Sequence, residues 1–130
     1  MYKIITDTKE KENILLTFSH NVKISSLKEY VNKTGYGDDF MDVLFKKDLE
    51  EDLYSYQQEL KEIQDNQVVI HAYYPATISD SKDAEEVLYL NFDEFYNYLV
   101  EVVDKRIVES PEDKEEYQEL LEKVKATLEL

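Results

Sequence analysis

Two histidines are the side chains of this sequence best suited to acid–base or metal chemistry near neutral pH. His20 lies in a polar helical pattern, and His71 lies within a run of strand-forming residues. Neither has the spacing of a metal motif such as H-E-x-x-H, in which two histidines share one helical face. Because a lone histidine in a strand is most often structural, the histidines predict neither a catalytic site nor a metal site.

The 30 acidic residues are a second source of chemistry, and they leave carboxylate-based catalysis or Ca²⁺ binding as an alternative. Asp38, Asp39 and Asp42 do not follow the D-x-[DN]-x-[DN]-G pattern of a calcium loop.

Residues 35–37, Gly-Tyr-Gly, lack the lysine and further glycines of a nucleotide-binding loop and are interpreted as a helix stop and a turn. The chain has no cysteine, which excludes disulfides and thiolate chemistry. We therefore expect no enzyme activity, no cofactor and no bound metal.

The densest group of charges lies between Asp38 and Asp65, where ten acidic residues and three lysines give a net charge of −7. Tyrosines lie among these acids, and rigid aromatic side chains surrounded by carboxylates suit a surface that binds Arg and Lys of a partner. An amphipathic helix with a core tyrosine and a solvated acidic side is the alternative interpretation. The candidate partner-binding residues of this segment are Asp48, Glu50, Glu51, Asp52, Tyr54 and Tyr56.

A second candidate surface follows a predicted strand. The connection from Pro75 to Glu85 is polar, acidic and long for a hairpin loop, and such loops often carry contacts. Its candidate partner-binding residues are Tyr73, Tyr74, Asp80 and Asp83.

The charge of the whole chain indicates the kind of partner. A net charge of −15 repels nucleic acid and anionic lipid and attracts cationic surfaces, so we expect a basic protein partner, with no direct nucleic-acid binding and no membrane association. The N-terminal residues lack the pattern of a signal peptide, and no apolar run reaches membrane-spanning length. We expect a cytoplasmic protein.

The strongest helical pattern runs from Phe92 to Val108, where apolar residues recur at the spacing of one helical face. Asn91 is predicted to cap this helix, and Glu94 completes a capping box. A second helix is predicted to start at Ser110 and Pro111 and to form a hairpin or a sharply bent pair with the first.

Further helices are predicted upstream. One covers about residues 9–19, and a capping box at 26–29 predicts a short helix that ends near Gly35. Apolar residues between 39 and 64 follow an alternating three-and-four spacing, which is helical and not strand-like. With Asp39 as its cap, this region is predicted to be one long helix or two shorter helices.

Strands are predicted at Gln67–Tyr74 and Glu86–Leu90, which we expect to pair as an antiparallel hairpin, and Tyr2–Thr6 is a candidate third strand. The predicted fold class is α+β. It is a mainly helical single domain over residues 1–130, with a small antiparallel sheet of two or three strands packed by helices.

Three stretches carry a resemblance to a known family: VNKTGYG at 31–37, KDLEE at 47–51 and LYLNFDEFYNYL at 88–99, the last followed by PEDK at 111–114. With these stretches the chain resembles the small acidic immunity proteins of bacterial contact-dependent growth inhibition (CDI) and related polymorphic toxin systems. The resemblance is strongest to the group that is paired with ribonuclease toxins.

The resemblance implies an antitoxin that blocks a cognate basic nuclease toxin domain, at its active-site cleft or an adjoining surface, so that RNA cannot enter. No binding residue of the family is carried over to this sequence. On physical grounds we expect one of Tyr54, Tyr56, Tyr73 or Tyr74 to fill a central pocket of the toxin. The acids at 48 and 50–52 are expected to pair with toxin Lys and Arg.

Two other functions are compatible with the sequence. A phage-type nucleic-acid mimic that inhibits a restriction or CRISPR nuclease would share the size, the acidity and the lack of catalytic motifs. A metal-dependent or carboxylate-based enzyme is the other alternative, and loss of an activity on chelation would support it.

Overall fold

The computed structural model describes residues 2–130, and Met1 of the predicted 1–130 domain lies outside that range. The strands are β1 (Tyr2–Ile4), β2 (Tyr36–Gly37), β3 (Met41–Phe45), β4 (Gln67–Tyr73) and β5 (Glu85–Asn91). The α-helices are α1 (Thr8–Phe18), α2 (Ile24–Tyr30), α3 (Lys46–Glu51), α4 (Gln57–Glu62), α5 (Phe92–Glu109) and α6 (Lys114–Thr127). Short 3₁₀ turns follow α1 (Ser19–Asn21) and precede α6 (Pro111–Asp113).

The strands form one mixed sheet in the order β1-β5-β4-β3-β2. The predicted hairpin of β4 and β5 is confirmed, with Val68 opposite Leu90 and Tyr73 opposite Glu85. The candidate third strand is present as β1, which runs parallel to β5. The class α+β is therefore correct, but a sheet of two or three antiparallel strands is wrong, because β2 and β3 extend it to five strands and β1 makes it mixed.

Strand β3, which was not predicted, lies in the region that was predicted to be helical. Met41, Val43 and Phe45 are buried on one face of the sheet, while Asp42 and Leu44 lie on the other. All five residues are opposite residues of β4. Alternating burial and complete pairing with β4 favour a strand here, although the apolar spacing also fits a helix. Between residues 39 and 64, only α3 and α4, of six residues each, are α-helical.

The predicted boundaries of α2 also differ from the structure. The helix starts at Ile24, and Ser26 lies inside its first turn, where its hydroxyl accepts the backbone N–H of Lys23 at 3.0 Å. After Tyr30 the chain leaves the helix through Lys33, whose φ of 53° is left-handed. Lys33 therefore takes the terminator role that was predicted for Gly35.

Gly35 is needed for a different reason. A Cβ at this position would lie 2.4 Å from the carbonyl oxygen of Val43 and 2.8 Å from the Leu44 side chain, so only glycine allows the chain to pass this close to β3. Tyr36 and Gly37 then pair with β3 as β2, and the predicted turn at 35–37 is a strand.

The main core lies between the sheet and the helices α1, α2, α5 and α6. Three fully buried rings meet there, because Phe95 contacts Tyr30 and Phe45 edge-on with centroid distances of 5.3 and 6.2 Å. The long helix predicted from residue 92 is confirmed as α5, and the backbone N–H of Asn91 donates to Glu94 at 3.2 Å. The pair of α5 and α6 therefore closes one side of the sheet.

Candidate functional site

The opposite face of the sheet packs against α3 and α4. Leu49, Ile63, Val69 and Val87 form a small buried cluster there. The cover is incomplete, because Ile4 of β1 is 40% exposed. Polar and aromatic side chains of β3, β4 and β5 surround this cluster.

Strand register brings several of these polar side chains together. His71 of β4 is opposite Asp42 of β3, and Tyr73, two residues further along β4, is opposite Glu85 of β5. Since side chains alternate along a strand, all four lie on the α3–α4 face.

His71 is at the centre of this group and is fully buried. Its Nδ1 lies 3.1 Å from Oδ1 of Asp42, and since a carboxylate only accepts hydrogen bonds, Nδ1–H is the donor. The Tyr73 ring stacks on the imidazole with a centroid distance of 5.9 Å and an angle of 9°. The centroid of the Tyr56 ring lies 5.7 Å from the imidazole centroid, with an angle of 39° between the two rings. Two tyrosines thus enclose a histidine that is oriented by a carboxylate.

Glu59 of α4 approaches the same histidine, with Oε2 3.7 Å from Nε2 of His71. Its side chain is 5% exposed, and burial raises the pKa of the Glu59 carboxyl. The charge of Glu85 acts in the same direction, whereas His71 opposes the increase. Glu59 and Glu85 are therefore close enough to repel each other.

Tyr56 joins α3 and α4 to this group. Burial raises the pKa of its hydroxyl, and the negative charges of Asp42, Asp52 and Glu59 add to the increase. Burial, Asp42 and Glu85 have the same effect on the pKa of Tyr73. Both hydroxyls therefore lie in a region of negative potential.

We call this set the acidic face, and its members are Asp42, Asp52, Tyr56, Glu59, Tyr73 and Glu85. Within residues 2–130, lysines and arginines form ion pairs with other carboxylates, but none with a carboxylate of the acidic face. The acidic face therefore combines carboxylates that lack Lys and Arg partners with two partly buried aromatic rings.

Glu62 forms a separate network on the same side of the sheet. It accepts a hydrogen bond from Tyr2 at 2.6 Å, another from Tyr89, and one from Gln58 at 2.9 Å. Burial alone would raise the pKa of Glu62, but the bonds from Gln58, Tyr2 and Tyr89 outweigh it and lower the pKa. These contacts hold α4 against β1 and β5, and so they fix the position of Glu59.

Asp48 has a different environment from the other predicted acids. Its Oδ2 accepts the backbone N–H of Gly35 at 2.9 Å and that of Phe45 at 2.8 Å. Burial raises the pKa of Asp48, although both hydrogen bonds oppose the increase. This carboxylate therefore joins the start of α3 to the segment before β2.

Residues 50–54, which we call the adjoining turn, are the last two residues of α3 and the first three of its connection to α4. Four of them are predicted partner-binding residues. Glu50, Glu51, Asp52 and Tyr54 are all exposed. Tyr54 is 93% exposed, the largest value among the large apolar side chains, and the adjacent Leu53 is 59% exposed. Asp52 also accepts the backbone N–H of Ser55 at 3.3 Å, which shapes the turn.

The predicted loop surface follows β4. Tyr74 is 39% exposed, and Asp80 and Asp83 are exposed. The loop is attached to the sheet by buried Glu86, which accepts the backbone N–H groups of Ile78 and Ser79 at 2.7 and 3.1 Å. Ser81 donates to Asp83, and this bond lowers the pKa of the Asp83 carboxyl.

Comparison with known proteins identifies the family. A model of the CDI immunity protein family matches residues 8–121. The chain belongs to this family. The resemblance predicted from sequence is confirmed, and with it a role in neutralising a cognate toxin protein during bacterial competition. The pairing with a ribonuclease toxin stays a prediction.

Neither the curated proteins nor the solved structures contain a significant match to this immunity protein. Among residues 2–130, no helix has both the length and the apolar character needed to cross a membrane.

The fold of this immunity protein brings part of the predicted site together. Asp52, Tyr56 and Tyr73 belong to the acidic face, and Asp48 lies beside Tyr56. Glu50, Glu51 and Tyr54 lie on the adjoining turn. The remaining three, Tyr74, Asp80 and Asp83, lie on the loop after β4.

Sequence reasoning missed Asp42, Glu59, His71 and Glu85 of this immunity protein as members of one group. The alternation of 69, 71, 73 in β4 and 85, 87, 89 in β5 was a usable signal for His71 and Glu85, because it places them on one sheet face. Asp42 was lost because its segment was assigned to a helix. Glu59 required knowledge of how α4 docks on the sheet.

Proposed function

We propose that the acidic face and the adjoining turn (50–54) bind the basic nuclease domain of the cognate toxin, a ribonuclease domain, and exclude its RNA substrate. The chain acts as one domain, in the cytoplasm, as a binding inhibitor and not as an enzyme. The observation that carries this proposal is that the acidic face has carboxylates without Lys or Arg partners around partly buried tyrosine rings.

Electrostatics supports a nuclease as the partner. A nuclease that holds a phosphate backbone must present positive charge, and an acidic inhibitor is attracted to the same patch. Steering of this kind raises association rates by about 10- to 1,000-fold over an uncharged pair. The net charge of −15 is the long-range source of that attraction.

Specificity then depends on the contacts at the centre of the interface. Exposed Tyr54 is the aromatic side chain best placed to enter a toxin pocket, because its ring is almost entirely in solvent before binding. Tyr56 and Tyr73 offer partly buried rings and hydroxyls on the acidic face, and Glu50, Glu51 and Asp52 supply carboxylates for toxin Lys and Arg. Asp48 supports this surface by holding α3, and the loop with Tyr74, Asp80 and Asp83 forms its margin.

Calorimetric titration of the toxin domain encoded directly upstream, at low and high salt and with a ribonuclease assay alongside, tests the proposal. We expect tight binding that salt weakens, together with loss of nuclease activity. A toxin domain that does not bind, or that binds and still cleaves RNA, would contradict the proposal.

A charge-matched pair of triple variants tests the surface itself. Reversing Glu50, Glu51 and Asp52 to lysine should weaken binding at least about tenfold, since several close charge pairs are lost. The control reverses three exposed acids of α5 and α6: Glu101, Asp104 and Glu122. Equal weakening in both variants would mean that net charge alone is responsible, and the assignment of the surface would be wrong.

A further inference from the structure

His71 contains an unusual buried atom. Its side chain is 0% exposed, and Nε2 has no hydrogen-bond partner among residues 2–130. The closest carboxylate oxygen, Oε2 of Glu59, is 3.7 Å away, which is too far for a hydrogen bond. Buried polar atoms without a partner are rare in folded proteins, so this nitrogen calls for a physical explanation.

A cluster of possible metal ligands around His71 supplies that explanation. One carboxylate oxygen of Glu59, one of Glu85 and a ring nitrogen of His71 all lie within 4.8 Å of one another. Glu59 and His71 are buried and Glu85 is partly buried. We propose that these three side chains bind a zinc ion, through Nε2 of His71 and one oxygen from each glutamate, with water as the fourth ligand.

The donor set favours zinc over the common hard cations. Ca²⁺ and Mg²⁺ sites are built from oxygen ligands, whereas imidazole nitrogen suits Zn²⁺ and its neighbours in the first transition row. A tetrahedral ion with bonds of about 2.1 Å separates its ligand atoms by about 3.4 Å. Small rotations of the two glutamate side chains close the cluster to that size.

The contacts of His71 resemble those of a histidine that binds a metal ion. Ligating histidines almost always donate their other ring N–H to a carboxylate or a carbonyl, which fixes the tautomer and the ring plane. Asp42 performs this role, because Nδ1–H donates to its carboxylate at 3.1 Å, and Nε2, 3.7 Å from Oε2 of Glu59, is then free to bind a cation. Tyr73 stacks on the imidazole ring, and Tyr56 packs against it at a tilt of 39°.

Charge balance favours a cation at the same point. Two carboxylates approach each other in a largely buried position, and lysines and arginines of the described chain form no ion pair with them. A divalent cation removes this repulsion, whereas a protonated His71 held between Asp42 and Glu59 is the competing explanation.

The zinc site does not depend on the toxin. All three protein ligands come from this chain, so the site is measurable on the isolated protein, and its failure would leave the proposed toxin-binding surface unaffected. The measurement uses full-length protein without a histidine tag, stripped of metal with a chelator and titrated with Zn²⁺.

Nitrogen-15 NMR of the imidazole rings is the direct test, because the chain has only two histidines. On addition of Zn²⁺ we expect Nε2 of His71 to shift while its Nδ1–H remains. The His20→Gln variant assigns the signals and is the control, since His20 is the exposed histidine. Retention of Nε2 as a protonated donor in the presence of Zn²⁺ would favour the buried histidinium and overturn the site.

Thermal unfolding provides an independent readout. Zn²⁺ should raise the unfolding midpoint of the wild type and of Glu101→Gln, an exposed control on α5, but not of Glu85→Gln. Asp42→Asn, which alters only the positioning residue, should weaken Zn²⁺ about 10- to 100-fold. An equal Zn²⁺ response in the wild type and Glu85→Gln would assign the binding to scattered surface carboxylates and overturn the proposal.

Discussion

Asp48 shows how one acidic side chain can be structural within a surface of exposed acids. It was predicted to pair with toxin Lys and Arg, yet its Oδ2 accepts two backbone N–H groups, from Gly35 and Phe45. A sequence pattern does not distinguish an acid that faces solvent from one that holds two backbone segments together. The distinction depends on β2 lying next to α3, which is a property of the folded chain.

Replacement of Asp48 is expected to destabilise the protein. Asp48→Ala leaves two partly buried N–H groups without an acceptor and should lower the free energy of unfolding by about 2 to 3 kcal/mol. Asp48→Asn should retain most of the stability, because one amide oxygen can accept both hydrogens. Urea unfolding measures both values, with exposed Glu50→Ala as the control, for which a change within about 0.5 kcal/mol is expected. Equal stability of Asp48→Ala and the control would contradict the structural role.

Tyr54 presents the opposite case, because its exposed ring contributes little to the fold. Tyr54→Ala should change the free energy of unfolding by less than about 0.5 kcal/mol. The same change should weaken toxin binding by about 2 kcal/mol or more if the ring fills a pocket. Tyr54→Phe separates the ring from its hydroxyl and should retain most of the affinity. Calorimetry with the toxin domain tests this, and full affinity in Tyr54→Ala would remove Tyr54 from the interface.

At the scale of elements, sequence periodicity was sufficient for α5 and insufficient for β3. The helix from Phe92 has five turns of consistent apolar spacing, and the hairpin of β4 and β5 is rich in β-branched and aromatic residues. Met41–Phe45 has alternate burial, but Leu44, Phe45 and Leu49 also satisfy helical spacing. Only pairing with β4, more than twenty residues further along the chain, decides between them.

The candidate site, like the fold, was predictable where local sequence patterns were sufficient and not where distant segments meet. Asp52 and Tyr56 were predicted because tyrosines lie among acids in that segment, and Tyr73 because it precedes an acidic loop; their role in binding stays a prediction. His71 was interpreted as structural, because nothing local shows that Glu59 of α4 and Glu85 of β5 converge on it. Composition and local spacing do not indicate where a helix packs on a sheet. This long-range packing is therefore the part of the site that could not be predicted.

The contact between α1 and α5 gives a pH dependence of known sign. Nζ of Lys11 lies 2.9 Å from Oε2 of Glu94, and this hydrogen bond lowers the pKa of Glu94 below its ordinary value of 4.5. A lowered pKa means that the folded state binds the proton less tightly than the unfolded state. The stabilisation is therefore complete above pH 4.5 and is lost as the pH falls through the folded-state pKa.

Glu94→Gln should remove this pH dependence. The stability difference between the wild type and the variant should be largest near neutral pH and should shrink as the pH falls below 4.5. Urea unfolding at a series of pH values measures it, and Glu101→Gln, at an exposed position of α5, is the control. A difference that is constant with pH would mean that the variant acts by some route other than this ion pair.

At the scale of the whole molecule, 15 excess negative charges repel one another in the compact state. Salt at about 0.15 M reduces the range of this repulsion to a Debye length of about 8 Å. The isolated protein should therefore become more stable as NaCl is added, whereas its complex with a basic toxin should become weaker.

Urea midpoints at low and high NaCl measure the first of these effects. A variant with Glu101→Gln, Asp104→Asn and Glu122→Gln carries three fewer negative charges at exposed positions and should gain less from salt. Identical salt responses of the two proteins would show that repulsion between surface charges is not the cause.

The turn between α3 and α4 has a consequence for how such proteins diversify. Glu50, Glu51 and Tyr54 are exposed, while the neighbouring Leu49 and Asp48 hold the helix in place. On the toxin interface that we propose, mutations of these exposed residues change what the surface recognises while the folded state is preserved. An inhibitor built in this way can follow a toxin that changes its own surface, and the same residues are the natural position for grafting a new specificity onto this scaffold.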